Sequence, residues 1–110
     1  MVKIKLSTDF STTPGGRLVA EGDYSGELFR DDILIGRYEE AEKKNAILEI
    51  DFDGCYGIGT SFLEEAFGGL VRKYHKHGSL KRMRFISTED ETIPSNIRKY
   101  VKEAEEEDIR

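Results

Sequence analysis

Apolar and polar residues alternate from the first positions of the chain. Val2, Ile4 and Leu6 are interleaved with Lys3, Lys5 and Ser7, the period-two pattern of a strand with one buried face. Ser11 to Gly16, closed by Pro14-Gly15-Gly16, reads as a turn, and Arg17 to Ala20 as a short second strand that completes a hairpin. The period then lengthens. Leu28, Phe29, Ile33, Tyr38 and Ala41 support a helix over 26–44, with Ser25 as its cap, Glu27 near the positive end of its dipole and Gly36 as its weakest point. Over Ala46 to Asp53 alternation returns, with Leu48, Ile50 and Phe52 on one face and Glu49, Asp51 and Asp53 on the other. The run Gly54-Cys55-Tyr56-Gly57-Ile58-Gly59 is too rich in glycine to be regular. Ser61-Phe62-Leu63-Glu64 then spells a capping box and opens a helix to about His77, which Gly78 stops. Lys81 to Ser87 alternates again, and Ile97, Tyr100, Val101 and Ala104 stripe one side of a last helix that begins near Pro94.

The predicted order is therefore β-β-α-β-α-β-α. Strand–helix–strand crossovers imply parallel pairing, and the opening hairpin adds an antiparallel portion, so the expected sheet is mixed. Several strands are polar on one face, which places all the helices on the other face. The open face then carries Lys3 and Lys5, Glu49 and Asp51, and Arg82 and Arg84, with the acids central and the bases on both flanks. Gly68-Gly69 inside a predicted helix marks a close approach of another backbone, from the sheet or from a partner.

The chain has 110 residues, the size of one domain, read here as 1–110, and 35% of them are charged. No apolar run approaches the roughly 20 residues of a bilayer span. The single cysteine, Cys55, forms no internal disulfide, and no Cys/His cluster suggests zinc, which points to a reduced, cytoplasmic protein. A net charge of -5 argues against a nucleic-acid partner. The charge is segregated, with no acid between Ala66 and Thr88 and an acidic tail from Glu103 to Asp108; this reads first as solvated faces.

The segment from Asp51 to Ser61 offers the most chemistry. A strand feeding a glycine-rich loop into a helix start is a phosphate-binding geometry, so nucleotide or small-anion binding at 54–61 is one reading. Thr60 stands where a P-loop needs lysine, and Phe62 where a dinucleotide fold needs its third glycine, which places this reading second. Ser61 reads first as the helix cap; a phosphoacceptor at Thr60 or Ser61 is the alternative. Tyr56, Gly57, Ile58, Gly59, Phe62 and Glu65 read as a partner-binding surface, apolar contacts set among acids. His75 and His77, two apart on a predicted helix, diverge and do not chelate one metal. Asp51 and Asp53 lack a third ligand. No nucleophile–base–orienter set can be assembled, so neither catalysis nor a cofactor is expected.

Several of these segments occur together in one family. Pro14-Gly15-Gly16-Arg17, Ser25-Gly26-Glu27-x-Phe29-Arg30, Ile50-Asp51-Phe52-Asp53-Gly54 and Ser61-Phe62-Leu63-Glu64-Glu65-Ala66-Phe67-Gly68 resemble the STAS-like domains of unknown function. These are prokaryotic relatives of the sulfate-transporter and anti-sigma-factor-antagonist domain. The resemblance implies a STAS-like fold and a non-enzymatic regulatory module. It also implies a protein partner of the histidine-kinase-like ATPase type, and phosphorylation of a Ser or Thr at the helix start, here Thr60 or Ser61. Gly59 occupies the place where the antagonists' motif has an aspartate.

Overall fold

The computed structural model describes residues 1–109. Three strands, β1 (Val2–Lys5), β2 (Leu48–Asp51) and β3 (Met83–Ile86), form one parallel sheet in the order β1-β2-β3. Three long helices follow them: α1 over residues 26–44, α2 over 60–74 and α3 from Thr92 to Asp108. Val2, Ile4, Leu48, Ile50 and Met83 point to one face and join the buried residues of all three helices in a single core. On the other face, register sets Lys3, Glu49 and Arg84 in one row and Lys5, Asp51 and Ile86 in the next. Lys5 lies 3.3 Å from Asp51 and Arg84 lies 3.1 Å from Glu49, so the central acids are paired by cations from both flanks. Solvent-exposed pairs of this kind contribute ~0–1 kcal/mol each.

The architecture corrects the expected order. No hairpin opens the chain, and the sheet is parallel rather than mixed. Arg17 to Ala20 is not a strand: Leu18 and Val19 are exposed, and the Glu21 carboxylate accepts from the amides of Arg17 (2.8 Å) and Leu18 (2.9 Å), closing the segment on itself. The carbonyls of Gly16 and Arg17, which would have paired a strand, accept instead from Gly26 and Glu27. Together with Ser25, whose Oγ accepts from Leu28 at 3.1 Å, they satisfy the first amides of α1. Leu6 leaves β1 and begins a single helical turn, Leu6–Asp9, of which Leu6 alone is buried. Arg82 precedes β3 and leaves the charge ladder, donating to the carbonyls of Ala41 and Ala46.

Two wide turns shape the helical layer. Both α1 at Arg30–Leu34 and α2 at Glu64–Gly68 relax into π geometry, and these turns meet. Arg30, only 4% exposed, bonds Asp31 at 2.9 Å and pairs with Glu65. Glu64 takes Arg17 (2.5 Å) and Arg72 (2.6 Å), while Asp31 takes Lys73 and the Tyr74 hydroxyl, each at 2.9 Å. Gly68-Gly69 is explained here: a Cβ on Gly69 would strike the Arg30 guanidinium, and one on Gly68 would lie 2.7 Å from the Glu64 carboxylate. The glycines make room for this ionic cluster, and the expected close backbone approach falls elsewhere, at Gly26, where a Cβ would sit 2.5 Å from the Phe62 carbonyl oxygen.

Burial pulls the Asp31 carboxyl up, but hydrogen bonds from Arg30, Lys73 and Tyr74 outweigh it and hold it well below the usual range. Glu64 behaves alike, with burial opposed and overcome by Arg72 and Arg17. Folded values below unfolded ones mean stability that is fully present above the unfolded carboxylate range and lost as pH falls through the folded values. Urea unfolding is therefore expected to be flat from neutral pH to about 5 and to weaken steadily below about 4.5. Arg30→Met should cost about 3–5 kcal/mol at pH 7 and flatten that acid slope. Melts of two glycine variants should move in opposite directions. Gly26→Ala is expected to lose about 1–2 kcal/mol against the Phe62 carbonyl, and Gly36→Ala, with open space around it, to gain up to about 1 kcal/mol.

Candidate functional site

β2 delivers the glycine-rich loop at the carboxyl end of the sheet, where α/β folds place their ligand crevices. Gly54 turns the chain at φ 93°, a left-handed value that favours glycine. Cys55 is half-buried, its Sγ 3.5 Å from the Ser11 carbonyl, and burial pushes its thiol pKa up. At Tyr56 the backbone and the side chain part company: the amide donates to the Thr12 carbonyl at 2.8 Å, while the residue is 87% exposed. Gly57 (φ 136°) and Gly59 are exposed, and Ile58 is half-buried against the core.

The helix begins two residues earlier than its sequence suggests. Gly59 is the cap residue, Thr60 is the first helical position, and neither Thr60 nor Ser61 has a hydrogen-bonded hydroxyl among the described residues. Ser61 is thus exposed in the first turn and is not the cap. Glu64 turns away from the capping box toward Arg17 and Arg72.

This shift also moves two expected contact residues out of the site. Phe62 is fully buried. All six phenylalanines of the chain form one continuous series of ring contacts, with Phe62 5.7 Å from Phe29 and 6.1 Å from Phe10. A charge there would disrupt the core before it touched a partner. Glu65 is also occupied, its carboxylate held by Arg30 and, at 3.5 Å, by Arg17. Tyr56, Gly57, Ile58, Gly59, Thr60 and Ser61 are what the fold leaves accessible.

The acids beside the loop are not those that lie nearest in sequence. Glu49, Glu64 and Glu65 are paired with cations. Asp53, Glu89 and Asp90 take their place, brought together at the ends of β2 and β3. Asp53 accepts from the Thr88 hydroxyl at 2.7 Å and the Glu89 amide at 3.0 Å, and these bonds hold its carboxyl below the usual range. Glu89 accepts from the Gly54 amide at 2.6 Å, and Asp90 binds the Thr92 hydroxyl and amide. Two of these positions lie in the Ser87-Thr88-Glu89-Asp90 run that follows β3, a turn signal that could have drawn attention to them.

Such wiring weighs against a phosphate cradle. The amides of Asp53, Gly54 and Tyr56 are already engaged by Asp51, Glu89 and Thr12, and carboxylates line the approach. Asp51 itself is bound to Lys5. His75 and His77 lie beyond α2, not on it: His75 adopts φ 57° as its terminus, and both rings turn toward one Asp108 oxygen, at 3.1 and 2.5 Å. Among the described residues no group of three or more His, Cys, Asp or Glu has the geometry to hold a metal ion, and no helix is long and apolar enough to cross a membrane.

No curated protein and no solved structure matches the chain. A family model for STAS-like domains of unknown function matches residues 25–92, from the cap of α1 through the glycine-rich loop to the first residue of α3. That stretch is more than half of the chain, and the chain belongs to this family of STAS-like domains.

Proposed function

We propose that the chain is a non-catalytic regulatory module that captures a protein partner through loop 54–59 and the first turn of α2, as the anti-sigma-factor antagonists it resembles do. One observation carries the reading: Tyr56 is presented 87% exposed on a backbone fixed by its own amide hydrogen bond. An aromatic ring held out on a rigid support forfeits little freedom on binding, and Tyr is enriched among the residues that dominate interfaces. Ile58 adds half-buried apolar surface beside it. The partner class that the resemblance implies is a histidine-kinase-like ATPase, and Thr60 or Ser61 is the point at which phosphorylation acts. Both hydroxyls are exposed in the first turn of a helix, where a phosphate is tolerated by the dipole.

Tyr56→Ala is expected to abolish co-purification of the partner from the native host while leaving the melting temperature unchanged, since an exposed side chain contributes within about 0.5 kcal/mol. Equal recovery with both proteins would remove the reading. Intact mass of the chain isolated from that host should show a species heavier by one phosphate, lost in either Thr60→Ala or Ser61→Ala. Its absence under every growth condition would confine the two hydroxyls to solvent contact.

A further inference from the structure

We propose that the occupant of this surface is a basic segment, with lysine or arginine flanking an aliphatic residue, seated on the carboxylates around Tyr56. This rests on the docking reading above and specifies its chemistry. The argument begins with how carboxylates are satisfied in different parts of the molecule. On the sheet face and between the helices, Asp31, Glu42, Glu49, Asp51, Glu64 and Glu65 each have a Lys or Arg nitrogen within 3.3 Å. At the loop end the pattern changes. Asp53, Glu89 and Asp90 are bonded only to amides and hydroxyls, and none of them is in an ion pair among the described residues. Hydrogen bonds from neutral donors fix a carboxylate without neutralising it. Lys5 is the nearby cation, and its ammonium is engaged by Asp51 at 3.3 Å and by the Asp53 carbonyl at 3.5 Å.

Those three residues line a small cleft of about 40 Å³ together with apolar Phe52, Ile58 and Ile93. Its small size and partly apolar lining suit an aliphatic side chain. An apolar lining, unneutralised acids and a fixed tyrosine beside it fit a segment that offers cations on either side of one aliphatic side chain. Electrostatic complementarity of this kind acts mainly on encounter and selectivity, so its signature is salt dependence.

The test pairs two fluorescent decapeptide pools, one with Lys/Arg around a central Val, Leu or Ile and one with Asp/Glu in the same places. Binding is read by anisotropy against the full chain, Tyr56→Ala and the double variant Glu89→Gln/Asp90→Asn. The amide replacements keep acceptors for the Gly54 and Thr92 groups and remove only charge. The basic pool is expected to bind the native chain at about 50 mM salt and to weaken at least about fivefold in each variant and again at about 500 mM. Unchanged binding to the double variant, or equal binding of the acidic pool, overturns the proposal. Self-association of the chain that the double variant abolishes would assign the cleft to a second copy and also overturn it. Failure of this inference is separable from failure of the docking reading. Host capture that depends on Tyr56 but ignores both salt and the double variant defeats the basic occupant alone, whereas capture indifferent to Tyr56 defeats the docking reading itself.

Discussion

Arg30 lies almost wholly out of water between α1 and α2, and a guanidinium in that position tolerates one arrangement of its neighbours. Its desolvation is offset only while Asp31, Glu65 and the Glu65 carbonyl all stay in place, so the helices cannot slide without stranding a charge. Gly69 has no side chain because that volume belongs to Arg30. The π turns coincide with this contact on both helices. Glu65 is six residues past Gly59, so the ion cluster fixes the second turn of α2, directly after the one that joins the exposed loop. Below it, the Phe62 carbonyl against Gly26 and the Phe62 ring among the other phenylalanines complete the anchorage. A loop fixed on two sides can hold Tyr56 out in solvent without the residue collapsing onto the core.

The strands were legible because burial on one face imposes a period of two that the sequence must obey. Leu48-Glu49-Ile50-Asp51 states that rule directly, and the parallel pairing with acids at the centre follows from crossover topology and flanking lysines and arginines. Arg17 to Ala20 misled because two adjacent apolar residues carry no period at all. What determines that segment is Glu21 reaching back to two amides and Gly16 and Arg17 reaching forward to α1, all contacts invisible to a local pattern. The ionic cluster was illegible for the same reason. Arg30 and Glu65 are thirty-five positions apart, and a charged residue in a helix reads as solvent-facing unless its partner is known.

At the site, two residues in the helix start separated the reading from the fold. A helix opened by Ser61 as its cap would have put Phe62 at the exposed first position and Glu64 back over the cap. With Gly59 as cap the helix starts at Thr60, and the rotation of about 100° per residue carries Phe62 into the core and Glu64 to Arg17. Both serine and glycine are acceptable at that position, so the preference came from tertiary packing. Pairing Phe62 with Phe29, and its carbonyl with the bare Cα of Gly26, stabilises only the earlier start. The exposed hydroxyls of Thr60 and Ser61 are a consequence of that choice.

The pairing of charge also distinguishes the sheet face from the loop end. A three-stranded parallel sheet has two open edges, each a row of unpaired backbone groups that invites another strand. Here the two edge strands carry cations on the sheet's open face, Lys3 and Lys5 on β1 and Arg84 on β3, so a second copy brought edge to edge meets like charge. The acids that pair with them lie on the central strand, where they cannot reach an incoming chain first. At the carboxyl end of the sheet, beside the exposed tyrosine, the carboxylates of Asp53, Glu89 and Asp90 are held by amides and hydroxyls instead. The acids within the sheet are thus matched to the cations on its flanks, and those at the glycine-rich loop are matched to neutral donors instead.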